Sequence, residues 1–470
     1  MIGGLLKSTS LLALVASASL SVMGSSAQAA DLGLGGNCCA DLEERIAELE
    51  ATTARKGNRK VSLTVSGLVN EGLLFWDDGV EKNAYVVTND QVRTRFRFLG
   101  SAKIDTNWSA GYLLEIGVDA NRTNNVDQNN AVNKTTAKTV DLRHSAWWLE
   151  GKGVGKLWIG QTSSATDSIT EINLANMQHF ATPQIGDYIN GFLIRGSNSQ
   201  LSGNSFAPGA GTVYGQLGAF GGASQLNPGE GFRYNVVKYD TPTLAGFSGS
   251  AAWGEDKFWD IALRYAGEFN GVKLAAGIGY QQWDDGTSNP RNCTRVGGIT
   301  GSNTTCDELG MSGSIQHVAT GLYATGAYGY RNDDNRQLLV SKLTPGASTR
   351  TKDEFYYIQA GIDQKFNPLG KSTLFGEYYE GNFGAAINGG AGNGGTSSIR
   401  GLGNAQPGFG NINSSDINMW GIGFNQAVDA AAMDIYVSYR NYSFDVSNTA
   451  GVKANLNDLQ TVLTGARIAF

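Results

Sequence analysis

The 470-residue sequence predicts an all-β chain: a transmembrane antiparallel β-barrel of about 16 strands, with a long inward-folded loop after the fifth strand and a short N-terminal periplasmic helix. Three observations carry this expectation. From Val61 onward, apolar and polar residues alternate with a period of two. The connections alternate between tight turns (105–107, 151–153, 242–244, 269–271, 367–370, 429–431) and long polar stretches (76–90, 120–137, 284–312, 332–352, 382–415, 446–456). Short turns on one side and long loops on the other suit a membrane barrel, and a soluble sandwich gives no reason for such regularity. The third observation is the strand 459–470. Val462, Thr464, Ala466, Ile468 and Phe470 form one face, and Gly465 and Arg467 lie on the other. An edge with an apolar face invites aggregation unless it closes onto another strand, here the first, 61–74.

Residues 1–30 read as a secretory signal. Lys7 supplies a charge, 11–23 is apolar, and Ala27-Gln28-Ala29 fits the cleavage pattern. The apolar run is shorter than the ~20 residues that a spanning helix needs. The formal charge is −6, or −7 once Lys7 leaves with the signal, and the charges are interspersed, so no basic stripe points to nucleic acid. The chain holds 64 Gly, 9 Trp, 18 Tyr and 19 Phe. Glycine where backbones crowd, and aromatics where an apolar body meets a wet rim, suit long strands in a bilayer. The mean hydropathy is slightly negative, as expected when only every second residue meets lipid.

Four cysteines are present. Cys293 and Cys306 flank a Gly/Ser/Asn/Thr-rich stretch, which in an exported chain predicts a loop disulfide. No histidine stands near them at zinc-ligand spacing. The adjacent Cys38 and Cys39 fit a strained vicinal bond, links to another subunit or free thiols.

The segment 31–60 is expected in the periplasm. Its helix, 41–54, opens with a capping pattern at Asp41 and Glu44, and Leu42, Ile46 and Leu49 fall on one stripe. Two heptads do not associate alone. On an oligomeric barrel they would meet at high effective concentration as a trimeric coiled coil, the alternative being a single solvated helix or a disordered linker. Residues 61–470 form the expected barrel. Its strands are 61–74, 91–99, 108–119, 138–150, 154–161, 231–241, 245–254, 257–269, 271–283, 313–320, 322–331, 353–366, 371–381, 416–428, 432–445 and 457–470.

The connection 162–231 is too long for an ordinary loop, and such loops are usually functional. It carries Asp167, Glu171 and Asp187 and almost no basic residue before Arg195. Two readings are open: a segment folded inward to narrow the channel, or a loop exposed outside or covering the centre of a trimer. Facing it, Arg93, Arg95 and Arg97 share one strand face at about 7 Å spacing. Pointing three arginines at lipid would cost roughly 2–4 kcal/mol each, so they face water. Alternation also directs Arg143, Arg233, Arg264, Arg440 and Arg467 inward. An acidic loop against a basic wall would set a transverse field across the narrowest point, and selectivity then follows from charge and diameter. The competing reading pairs each arginine with a lumen carboxylate, for instance Arg95 with Glu115, to stiffen the wall.

Catalytic and cofactor motifs are missing. His144, His179 and His317 show no metal-ligand spacing, there is no G-x-S-x-G elbow, and Gly370-Lys-Ser372 lacks the earlier glycine of a phosphate loop.

The run 41–60, the segment 61–67 with Phe75-Trp-Asp-Asp-Gly79, Arg93-Thr-Arg-Phe-Arg-Phe98, Arg233-Tyr-Asn-Val-Val-Lys-Tyr-Asp-Thr-Pro242 and the terminal Phe470 together resemble the alphaproteobacterial trimeric porins of rhizobia and Brucella. The resemblance covers most of the mature chain. It implies a homotrimer in the outer membrane, in contact with lipid and lipopolysaccharide, passing small hydrophilic solutes and ions by passive diffusion. It also implies that Asp167, Glu171 and Asp187 oppose Arg93, Arg95 and Arg97. A substrate-selective outer-membrane channel with a saturable lumen site is the alternative.

Overall fold

The computed structural model of the protein describes residues 61–129, 131, 139–196, 226–254, 257–284, 305–334, 350–384, 412–448, 451 and 453–470. The expected signal 1–30, the helix 41–54 and Cys38, Cys39 and Cys293 lie outside them. The strands are β1 Ser62–Asp77, β2 Lys82–Thr88, β3 Arg95–Lys103, β4 Trp108–Asp119, β5 Thr139–Gly151, β6 Gly155–Ser163, β7 Arg233–Asp240, β8 Phe247–Gly254, β9 Trp259–Phe269, β10 Val272–Asp284, β11 Thr305–His317, β12 Leu322–Asp333, β13 Lys352–Asn367, β14 Gly370–Gly384, β15 Ile412–Val428, β16 Met433–Asn448 and β17 Leu459–Ala469.

From β3 onward each strand pairs antiparallel with the next, and β17 returns to β1 from Leu68↔Ala469 to Asp77↔Gln460. Phe470 and Gly67 exchange backbone hydrogen bonds of 2.9 and 3.0 Å at the seam. Both β2 and β3 pair with β1, one along residues 71–77 and the other along 62–68. They form a single stave of the wall, interrupted at 89–94, so the barrel closes with sixteen staves. Closure gives strand backbones partners without water, which a membrane demands. The outward positions of β1 are greasy: Leu63, Val65, Val69, Leu73 and Phe75 are all exposed, while Asn70, Leu74 and Trp76 between them are buried inside.

Three boundaries differ most from expectation. The stretch 76–90 is not a long loop but a turn followed by β2. Asp78 accepts the Val80 and Glu81 backbone N–H groups to form that turn. Alternation is hidden in β2 because its inward Tyr85 and Val87 and its outward Val86 are all apolar. β11 begins at Thr305 rather than near 313, because its inward Cys306 and Glu308 and outward Asp307 read as loop chemistry. Conversely, Arg93 lies ahead of β3, in the interruption itself.

The lumen is not uniformly wet. Inward side chains of β13 to β17, among them Phe355, Tyr357, Phe375, Tyr379, Met419, Tyr436, Tyr442 and Leu463, form a buried apolar face. The segment after β6 lies on it, contributing Met177, Phe180, Ile185, Tyr188, Ile189 and Phe192 to the same core. Phe180 stacks on Tyr436 at 4.7 Å. Hydrogen bonds track the segment along the wall. Ile172 and Leu174 donate backbone N–H to Ser312 and Ser314 of β11, Asn173 donates to Gln359 of β13, and Asn70 and Asn89 donate to the His179 carbonyl. Arg195 closes the path on Asp78 and Glu81 above β1. The returning limb 226–231 presses on β11 and β12 so closely that a methyl group at Gly329 would sit 1.8 Å from the Pro228 carbonyl oxygen. Glycine is required there for close backbone approach.

Arg440 holds this arrangement. Its side chain is 1% exposed. It bonds Glu377 at 2.7 Å, donates to the Phe180 carbonyl at 2.8 Å and lies 4.0 Å over the Tyr188 ring. Breaking a buried, hydrogen-bonded pair costs about 3–5 kcal/mol because the remaining charge is stranded. Arg440→Ala is therefore expected to leave the barrel closed but release the segment. Heat-modifiable gel mobility should persist, while protease cleavage within 164–196 should rise well above wild type.

Candidate functional site

The segment packs on the inner wall from β7 round to β2, with Ala165 and Ile169 in one buried cluster with Val236 of β7 and Ala252 of β8, and it leaves the wall of β3 to β6 open. The charged residues of that open side are organised around one carboxylate. Glu115 on β4 has no solvent-exposed side-chain area and takes Arg95 at 3.2 Å, Arg143 at 2.7 Å and the Arg97 Nε at 2.8 Å. A β-bulge explains how Arg143 reaches it. Glu115 pairs with His144 and Ile116 with Leu142, so Arg143 is the extra residue of β5. Bulges commonly re-aim one side chain in this way. Arg93 bonds Asp141 at 2.5 Å. Of the three ladder arginines, Arg97 exposes the most, 43% of its side chain against 14% for Arg95.

Arg233 opens β7 and lies 4.2 Å over the Phe232 ring. Facing it is the start of the inserted segment. Burial works against an ionised Asp167, but the Arg233 guanidinium and a Ser163 hydrogen bond bring its carboxyl below the usual range. Arg264 on β9 donates to the Asp167 carbonyl at 2.9 Å. Burial first, then the Asp167 charge, push the Glu171 carboxyl up to about 7. Glu230, buried, takes the Thr170 backbone N–H at 2.8 Å and also the Thr170 hydroxyl and the Ser168 N–H. Burial and the adjacent Glu171 and Asp167 push its carboxyl well up. These three acids and Arg233 thus occupy one neighbourhood beside the β5–β7 wall.

The other sequence-predicted residues lie elsewhere. Asp187 sits in the single helical turn α1, Gly186–Ile189, where its carbonyl accepts the Thr123 hydroxyl at 2.5 Å, at the far end of the segment from Asp167. Arg440 lies behind the segment rather than on the open wall. Arg467 pairs with Asp434 at 2.5 Å, and Asp434 also takes Asn425, the partner of His179. Cys306 is disulfide-bonded. Sequence reasoning missed Asp141, Glu230 and Glu377 as partners. It also missed the ion pair between Arg331 and Asp353, both without exposed side-chain area. Strand parity was the available signal for Glu377, which stands between the inward Phe375 and Tyr379.

Below the arginines, toward the short turns, the wall changes character. Lys156 lies 3.9 Å over the Trp148 ring and 4.7 Å over that of Trp158, and Trp158 donates to Asp240 at 3.0 Å. Among the described residues no group of His, Cys, Asp and Glu could hold a metal ion.

The fold has known counterparts. An anion-selective porin from Comamonas acidovorans superposes with a TM-score of 0.52 at 15% identity, covering 87% of this chain and 100% of that one. OmpF of Salmonella typhi, in complex with daunomycin, gives 0.48 at 12% identity over 87% of this chain and 98% of its own. The outer membrane channel DcaP of Acinetobacter baumannii gives 0.46 at 12% identity over 89% and 100%. No curated protein matches the sequence. A family model described as Gram-negative porin matches residues 13–466, nearly the whole chain, and the protein belongs to that family.

Proposed function

We propose that the protein is a general diffusion channel of the outer membrane whose narrowest point lies between the start of the inserted segment and the β3–β7 wall. Asp167 and Glu171 supply one side and Arg97 and Arg233 the other. One observation carries this reading: the segment buries its apolar side chains against β13 to β17, while Arg97 on β3 keeps 43% of its side chain exposed. A polar solute there exchanges water for wall groups on both sides, and an apolar one has nothing to exchange. Arg95 and Arg143, tied to buried Glu115, act mainly as the stiffening of the wall, and Arg97 presents the exposed charge.

Homotrimeric assembly is part of the proposal. Glu71 sits on the outward face of β1 between exposed Val69 and Leu73, bonded to Thr88 at 2.9 Å and to Thr94 at 2.9 Å, in the gap between β2 and β3. A carboxylate facing lipid is costly, so a second copy is expected to cover this notch. The substrate-selective alternative draws on the Trp148, Trp158 and Lys156 cluster, an aromatic platform of the kind that can hold a solute.

Planar-bilayer conductance tests the proposal. Steps in groups of three, linear with salt, are expected. Saturation by one solute would favour the selective channel, and absence of conductance would rule out both. A unit charge about 6 Å from a permeating ion in water is worth ~0.7 kcal/mol, with opposite sign for a cation and an anion, so Arg97→Ala should shift the cation-to-anion permeability ratio about tenfold toward cations. An unchanged reversal potential would remove Arg97 from the pore lining.

Glu171 gives a pH dependence. Its carboxyl is pushed up to about 7, so it gains its negative charge as pH rises through neutrality. Cation preference should therefore grow between about pH 6 and pH 8, and Glu171→Gln should flatten that change.

A further inference from the structure

Inward glycines of β10 to β12 have close neighbours. A methyl group at Gly277 would meet Ile169 and Ile172 at 2.8 Å, and one at Gly310 the Gly229 carbonyl at 2.3 Å. Two outward glycines differ. A methyl group at Gly313 would meet only Ala275 and Ala276, at 3.6 and 3.7 Å, and one at Gly326 only the Tyr357 carbonyl at 3.8 Å. Neither has a positive φ. Nothing inside the barrel requires glycine there, and glycine weakens a strand.

Ala276, Gly313 and Gly326 are direct cross-strand neighbours on β10, β11 and β12. They make a floor about 10 Å across at two strand spacings. Tyr265 and Ile358 close the ends of the same row. Met311 and Tyr328, two residues higher, form one long side. The result is a groove of about 630 Å³ on the outer face of the barrel.

We infer that this groove is a lipid site, seating one acyl chain of a phospholipid from the periplasmic leaflet. Its height fits. Ala276 and Gly326 are each the fifth residue from the short-turn end of their strands, inside the hydrocarbon belt and nearer the periplasm. Burial in oil gives no hydrophobic gain, since lipid tails are as apolar as leucine. An unfilled groove instead forfeits dispersion contacts along its whole lining, and a flexible acyl chain restores them. A second copy is a poor occupant. The Glu71 notch lies six to eight staves away in a ring of sixteen, on the opposite side, so a copy seated there leaves the groove to lipid. The inference does not depend on where the channel narrows.

The test uses the full chain in vesicles of phosphatidylethanolamine and phosphatidylglycerol, with a trace of phosphatidylethanolamine bearing a photoreactive diazirine at mid-chain. Labelling of peptides from β10 to β12 should exceed that of β4 to β6 about fivefold. Gly313→Leu and Gly326→Leu, each placed where a side chain has room, should bring it down to the average of the belt with conductance unchanged. Even labelling around the wild-type barrel overturns the inference, whether or not the variants fold. Labelling that survives both substitutions also overturns it, as does loss of the oligomer in either variant, which would assign the groove to a second copy.

Discussion

The contact on which the rest depends is the seating of residues 164–196 against the inward aromatic face of β13 to β17. A ring of sixteen staves encloses more space than a sieve needs. Here the chain fills part of that space with its own apolar side chains, stacked as Phe180 on Tyr436 and pinned through Arg440 to Glu377. The polar lining of the passage follows from which part of the wall is left. The open wall carries the buried Glu115 with its three arginines, and the edge of the segment carries Asp167 and Glu171. Position of the segment, rather than net charge, decides where a solute meets charge.

Two charge networks serve different ends. Around Arg440 and Glu377 both partners are buried, and the geometry fixes a backbone carbonyl as well as a side chain. Such a pair is worth little in net stability but specifies one docking, since other positions would strand its charges. Around Glu115 the carboxylate is buried while Arg97 keeps 43% of its side chain exposed. One acid orders three arginines, and the outermost remains available to water. The β5 bulge that adds Arg143 makes this possible without breaking the wall.

Much of this was legible in the sequence, and the failures are physical. The seam was legible because Val462 to Phe470 alternates cleanly and an apolar-faced strand needs a partner, which β1 supplies. The stave count followed from turns and loops. β2 was hidden because a strand facing lipid on one side and an apolar lumen core on the other has no polar face to mark its period. Parity says which residues share a face, not whether that face meets water, so Arg440 read as pore wall although it lies beneath the segment. Glu230 was missed because it acts across the insertion, on Ser168 and Thr170 some sixty residues earlier.

The most direct measurement compares two inward serines. Ser101 on β3 is exposed on the open wall, and Ser438 on β16 is 1% exposed beneath the segment. Each is replaced by cysteine, and the open channel is treated with a charged methanethiosulfonate, with wild type as the background for the native thiols. Ser101→Cys should react and lower the conductance, while Ser438→Cys should stay inert unless Arg440 is also replaced. Equal reaction at both positions would contradict a lumen partly filled by its own segment.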